Sequence, residues 1–409
     1  MNFDQYLDKY AELTVRVGLN IQKGQPLWIS APTGTEELVR RIAKQAYLTG
    51  ASNVTVHYQD EEIKRTHFEL APEEQFHEFP KWLVVGYEEI IEKNGAFLLV
   101  EADDPDLLNG IATERILSSQ KARGKALVNF YEAVDTDRVS WSIVAMPSKK
   151  WANKVFPELP EEDRVSALWE RIFKAVRLDL EDPIEAWHQH IKQLEEKAKQ
   201  LNEKRFNKLH YKAPGTDLII ELPEKHLWLS GGSTNSQGTK FIANLPTEEV
   251  YTVPHRLGVN GYVSSTKPLA FQGNVIEDFK ITFKDGKIVG VEAKVGQEIL
   301  EKLLETDEGA SFIGELALVP HHSPISSSGV LFFNTLFDEN ASNHLAIGSA
   351  YPTCYEGGTE LSEKERIEAG LNDSIVHEDF MIGSENMDID GIKADGTVEA
   401  IFRSGNWAF

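Results

Sequence analysis

The stretch QPLWISAPTGTEELVRRIAKQAYLTGASNVTVHY, residues 25–58, decides how the first half of the chain is read. PLWISA (26–31) is an apolar run of strand length. TEELVRRIAKQAYLTG (35–50) has helical periodicity, with Gly50 where a helix C-cap is expected. NVTVHY (53–58) is strand-like again. Strand, helix, strand implies a βαβ unit and parallel pairing. The alternation continues outward. A helix is expected at about 82–93, a strand at AFLLVEA (96–102), a helix at TERILSSQKARG (113–124) and a strand at VSWSIVAMP (139–147). Two long helices follow, residues 161–178 and 182–206. The second has Asp182 at its N-cap and Pro183 at its first helical position.

Near residue 206 the pattern changes. LHYKAPGTDLIIELP, HLWLSGG, FKITFKDGKIVGVEA and MDIDGIKADGTVEAIF are short strands joined by turns, two of which carry the Asp-Gly pair of tight hairpins. The expected organisation is an α/β domain with a mostly parallel sheet over 1–207, then a strand-rich α+β domain over 208–409.

The chain has 409 residues, about four in ten hydrophobic and a quarter charged, an ordinary globular mix. Its formal net charge is −23. That argues against nucleic acid and anionic membranes, which need clustered Lys and Arg. No apolar run reaches the roughly 18 residues of a membrane helix. The first 20 residues lack the basic start and apolar core of a signal peptide. Cys354 is the single cysteine, which rules out an intrachain disulfide and fits a cytoplasmic location.

Glycine-rich nucleotide loops, H-E-x-x-H and G-x-S-x-G are all absent. GGSTNSQG (231–238) and SPISSSG (323–329) read as loops. A different signal lies in SIVHEDFMIGS, residues 374–384. This is a largely apolar strand, yet it carries His377 and Asp379, two residues apart and therefore on one face. Three other segments hold oddly placed acids or imidazoles. NLPTEEV (244–250) has Glu248 and Glu249. SFIGELALVP (311–320) buries Glu315 in an apolar run. LFDENASNHLAIG (336–348) brings Glu339 and His344.

Taken singly, each has an ordinary explanation: a surface acid, a loop residue, a core histidine, a carboxylate paired with a distant arginine. Together they pose a cost problem. Carboxylates in dry surroundings cost several kcal/mol each unless positive charge compensates them. No Lys or Arg lies close by in sequence. Four carboxylates and two imidazoles exceed the needs of one tetrahedral zinc and suit two adjacent cations. Oxygen and nitrogen donors without thiolate fit zinc, cobalt, manganese or magnesium. The residues alone leave three functions open: a peptidase, a two-metal hydrolase of a phosphate ester or cyclic amide, and a metal-stabilised binding protein without turnover.

NLPTEEVYTVP, GELALVP, FFNTLFDENASNHLAIG, VHEDFMIGSENMDIDG and the terminal RSGNWAF closely resemble the metallo-aminopeptidases of the aminopeptidase T and aminopeptidase S (PepS) family. HYKAPGTDL and GYVSSTKPL match as well, and the resemblance runs from YAELTVRVGLN to the C-terminus. It implies a cytoplasmic, homodimeric exopeptidase that removes N-terminal residues from peptides with a free N-terminus, using two divalent metal ions per chain. On this resemblance the metal ligands fall on Glu249, Glu315, Glu339, His344, His377 and Asp379. The choice of Glu249 over Glu248 rests on it alone. A catalytic tyrosine falls on Tyr351. The general base stays open among Glu315, Glu378 and Glu385, with Glu378 alternating away from the ligand face.

Overall fold

A computed structural model describes residues 2–271 and 274–409. The strands, in chain order, begin with β1 (Pro26–Pro32), β2 (Asn53–Gln59), β3 (Ala96–Glu101) and β4 (Ser140–Ala145). They pair in the order β2-β1-β3-β4, every pair parallel. Helix Glu36–Thr49 bridges β1 and β2, and Gly50 ends it at φ +113, a left-handed conformation that glycine adopts without a Cβ clash. This is the expected βαβ unit. Helix Lys81–Glu92 sets Tyr87 between Trp28 of β1 and Phe97 of β3, with ring centroids 5.2 and 5.6 Å away. Helix Phe3–Leu13 closes on β4, where the Tyr10 hydroxyl donates to the Ala145 carbonyl at 3.0 Å. The long helix Pro183–Lys204 starts as expected: Asp182 Oδ1 accepts the Glu185 amide at 3.1 Å.

Beyond it come β5 (Lys208–Ala213), β6 (Thr216–Glu221), β7 (Leu229–Ser230), β8 (Gly232–Thr234), β9 (Lys240–Ile242), β10 (Val250–Thr252), β11 (Val259–Ser264), β12 (Leu269–Phe271), β13 (Asn274–Lys284) and β14 (Lys287–Val295). Then follow β15 (Ile313–Leu318), β16 (His344–Gly348), β17 (His377–Met381), β18 (Asp388–Ile392), β19 (Val398–Arg403) and β20 (Asn406–Trp407). Two antiparallel sheets dominate. One has nine strands, β12-β13-β11-β6-β5-β18-β19-β20, with β14 on β13. The other has five, β17-β16-β15-β10-β7. The β13–β14 hairpin turns at Asp285 and Gly286, both at positive φ, as its Asp-Gly pair predicts.

The chain forms two compact units, residues 1–192 with 231–247, and residues 193–230 with 248–409. This differs from the single cut expected at 207/208. The division falls inside the long helix, and 17 residues of the second half return to the first unit. They return because Ile143 on β4 bridges Asn244, and the Ser142 hydroxyl donates to the Ile242 carbonyl at 2.9 Å. Turn-rich GGSTNSQG carries no hydrophobic period that would announce that return.

Candidate metal centre

The five-stranded sheet gathers the acids and imidazoles by register. Glu315 on β15 stands opposite Ala346 on β16, and Ala346 opposite Asp379 on β17. The next row reads Tyr251, Ala317, His344, Met381, and Gly348 pairs with His377. Residues directly opposed across antiparallel strands share a face. One face therefore carries Glu315, His344, His377 and Asp379, floored by Ala317, Ala346 and Gly348. Glu249 precedes Tyr251 by two residues. The other face carries Leu316, Leu345, Ile347 and Phe380, and Phe380 meets Phe279 of β13 at 5.7 Å between centroids. Burying that apolar face aims the ligand-type side chains at one spot. Gly348 has no substitute here: its φ is +106, and a Cβ would lie 2.0 Å from the Val376 carbonyl oxygen.

Two donor sets result, Glu249–Glu315–His344 and Glu315–His377–Asp379, each with donor atoms within 4.8 Å of one another. Glu315 belongs to both. His377 Nε2 lies 3.1 Å from Glu315 Oε2 and 3.7 Å from Asp379 Oδ2. His344 Nε2 lies 3.1 Å from Glu249 Oε2 and 3.9 Å from Asp379 Oδ1. Both rings are held from behind. His377 Nδ1 donates to the Ser349 carbonyl at 2.8 Å, and His344 Nδ1 sits 3.1 Å from the carbonyls of Glu339 and Ser342. Each bond turns Nε2 toward the acids, the orientation a metal-binding imidazole takes.

The electrostatics demand positive charge. Burial pushes the Glu315 carboxyl up to about 7, helped by Asp379 and Glu249 and opposed by His377. Burial, Asp379 and Glu249 hold Glu339 well above the carboxylate range. Burial works against a charge on His377, yet Asp379 and Glu315 together lift it to about 10. His344 is raised likewise by Glu249. Asp379 Oδ1 is buried with no hydrogen-bond partner. An orphaned carboxylate oxygen facing two imidazoles and further acids fits a divalent cation, which would neutralise charges and fill the empty coordination at once.

The expected residues divide accordingly. Glu249, Glu315, His344, His377 and Asp379 come together. Glu339 is buried and feels Asp379, Glu249, His344 and Glu315, although it belongs to neither compact trio. Tyr351 starts the turn after β16, its ring 4.8 Å from the His377 ring and 6.0 Å edge-on from Tyr251. Glu248 is buried, its amide held by Asn340. Glu378 pairs with Ile347 and so faces the apolar side, where burial first and Asp379 second push its carboxyl up to about 8. Glu385 is exposed in the turn after β17, and Cys354 is buried and forms no disulfide. Sequence reasoning missed Asn340 and the small floor residues Ala317, Ala346 and Gly348. None of the four carries a local signal in the sequence, because their places follow from partners on other segments.

Comparison with known proteins gives consistent answers. A family model described as thermophilic metalloprotease (M29) matches residues 3–407. Aminopeptidase AmpS of Bacillus subtilis is 53% identical over 408 residues, covering 100% of both chains. Aminopeptidase T of Thermus thermophilus is 46% identical over 405 residues, covering 99% of both. A solved structure, wild-type AmpT from Thermus thermophilus, superposes with a TM-score of 0.92 at 44% identity, covering 100% of each chain.

Proposed function

The chain belongs to the M29 family of metalloproteases and is a metal-dependent aminopeptidase, and from that premise we propose that the residues gathered on the five-stranded sheet would hold two divalent cations side by side, where the N-terminal peptide bond is cut. The observation that carries this reading is the double donor set with Glu315 common to both halves. Glu249 and His344 would hold one cation, His377 and Asp379 the other, Glu315 would bridge them, and Glu339 would complete the set. Four carboxylates offset the charge of two divalent ions. When bound, such ions lower the pKa of a water and polarise the peptide carbonyl.

The chain's own residues supply the rest. One carboxylate of the cluster would bind the free α-amino group of a peptide, which favours termini over internal bonds. The Tyr351 hydroxyl donates a hydrogen bond to the developing oxyanion, from a ring steadied by His377 and Tyr251. Of the three carboxyls considered as proton acceptor, Glu315 lies among the donor sets and would be committed as the bridging ligand. Glu378 faces away and Glu385 lies in an exposed turn. Cytoplasmic location and homodimerisation belong to the same proposal. Among the described residues no helix is long and apolar enough to cross a membrane.

Chelation followed by add-back tests it. Cleavage of aminoacyl-anilides should vanish on chelation and return with zinc, cobalt, manganese or magnesium, with two ions bound per chain. One ion per chain at full activity would overturn the bridged arrangement.

A further inference from the structure

The turn that carries Glu339 and His344 contains a neutral side chain buried deeper than its acidic neighbour. Asn340 is 0% exposed against 7% for Glu339. Hydrogen bonds of its side chain reach in three directions. Oδ1 accepts the backbone amide of Glu248 at 2.7 Å. Nδ2 donates to the Leu336 carbonyl at 2.9 Å and to Glu339 Oε1 at 3.2 Å. The first bond fixes the backbone one residue before Glu249. The last fixes the carboxylate of Glu339 itself.

We infer that Asn340 is the positioning residue that sets Glu249 and Glu339 at their working separation. The inference rests on the metal-site reading above. The two acids come from segments 90 residues apart in sequence, and like charge drives them apart. A single side chain that accepts from one segment and donates to the other's carboxylate holds them against that repulsion. An amide does both with one planar group, accepting at Oδ1 and donating twice at Nδ2, whereas a carboxylate lacks the donor and a hydroxyl lacks the reach. The Leu336 bond anchors the amide plane to the short helix Thr335–Asp338, so the group does not rotate.

Two variants separate positioning from mere support of the fold. Asn340→Asp keeps the acceptor for the Glu248 amide but loses the donor to Glu339 and places like charge beside it. Asn340→Ala loses both halves. Each is prepared metal-free and compared with wild type by far-UV circular dichroism, by zinc titration against a competing chromophoric chelator, and by kcat and KM on an aminoacyl-anilide. The expected result is native dichroism, zinc bound about 10–100-fold more weakly in both variants, and at saturating zinc a fall in kcat with KM nearly unchanged. Wild-type zinc affinity in a folded Asn340→Ala protein overturns the inference. So does loss of fold in both variants, which would make Asn340 a structural residue only. Wild-type protein titrated in parallel tells the two failures apart: if it binds no zinc, the metal-site reading itself has failed.

Discussion

Glu315 and Asp379 face the same space across a single methyl group: Ala346 stands in register with both, on the strand between theirs. A small residue there leaves room for something held by the two carboxylates. Ala346→Val adds two methyls to that room. Overpacking of this kind costs roughly 1–3 kcal/mol, so the protein should still fold. Metal affinity and peptidase activity should each fall by about tenfold or more. Ile347→Val, on the apolar face, is the control, and equal activity loss in both variants would argue against the space above Ala346.

Glu315 is common to both donor sets, so its loss should damage both. Glu315→Gln keeps the shape and removes the charge. Activity should drop on the order of 10²-fold or more, comparable to losing a principal charge-stabilising group. The metal-free melting temperature should hold or rise, because one acid leaves a crowd of acids. Full activity in this variant would remove Glu315 from the site.

Tyr351 packs through its ring, and its proposed task needs only its hydroxyl. Tyr351→Phe should lower kcat by about 10²–10³-fold, the usual cost of one oxyanion donor, and leave KM nearly unchanged. A comparable rise in KM with constant kcat would assign the hydroxyl to ground-state binding.

Stability should vary with pH through a group of the first unit that is not among the acids of the sheet. Asp137 follows the helix Val128–Asp135 at φ +52, hydrogen-bonded to Ser233, and burial pushes its carboxyl up to about 7. The unfolded value is about 3.9. Between these values the folded chain binds the extra proton, so stability is gained below pH 4 and lost as pH rises through 7. Asparagine tolerates the left-handed backbone and carries no charge. Asp137→Asn should therefore raise the melting temperature at pH 8 by about 2–4 °C, the shift typical of 1 kcal/mol, and change it little at pH 4. Equal shifts at both values would exclude the carboxyl as the source.

The elements were legible where local pattern decides them. PLWISA, TEELVRRIAKQAYLTG and NVTVHY form the strand, helix and strand expected, and the Asp-Gly pair at 285–286 turns the hairpin. The acids of the centre stood out because a buried carboxylate conflicts with its apolar neighbours, as at Glu315. Alternation also put Glu378 on the correct side. Ala346 and Asn340 gave no such signal. An alanine in a strand and an asparagine in a turn are locally unremarkable, and their roles arise from partners on other segments. Helices Glu61–Leu70 and Lys149–Val155 were missed for want of a clear apolar period in short, polar stretches. The return of 231–247 had no local signal, because Ile143 and Asn244 pair over a hundred residues.

That excursion of 231–247 has a consequence for dissection and for descent. A fragment cut at 208 would inherit Phe241, Ile242 and Leu245 without the unit that buries them. It would also lack the second part of the long helix, residues 193–204, that belongs to its own unit. Glu249 sits two residues past the point where the polypeptide comes back. The half bearing the acids is therefore no cassette that one recombination event could lift into another gene, and the two halves must be inherited together.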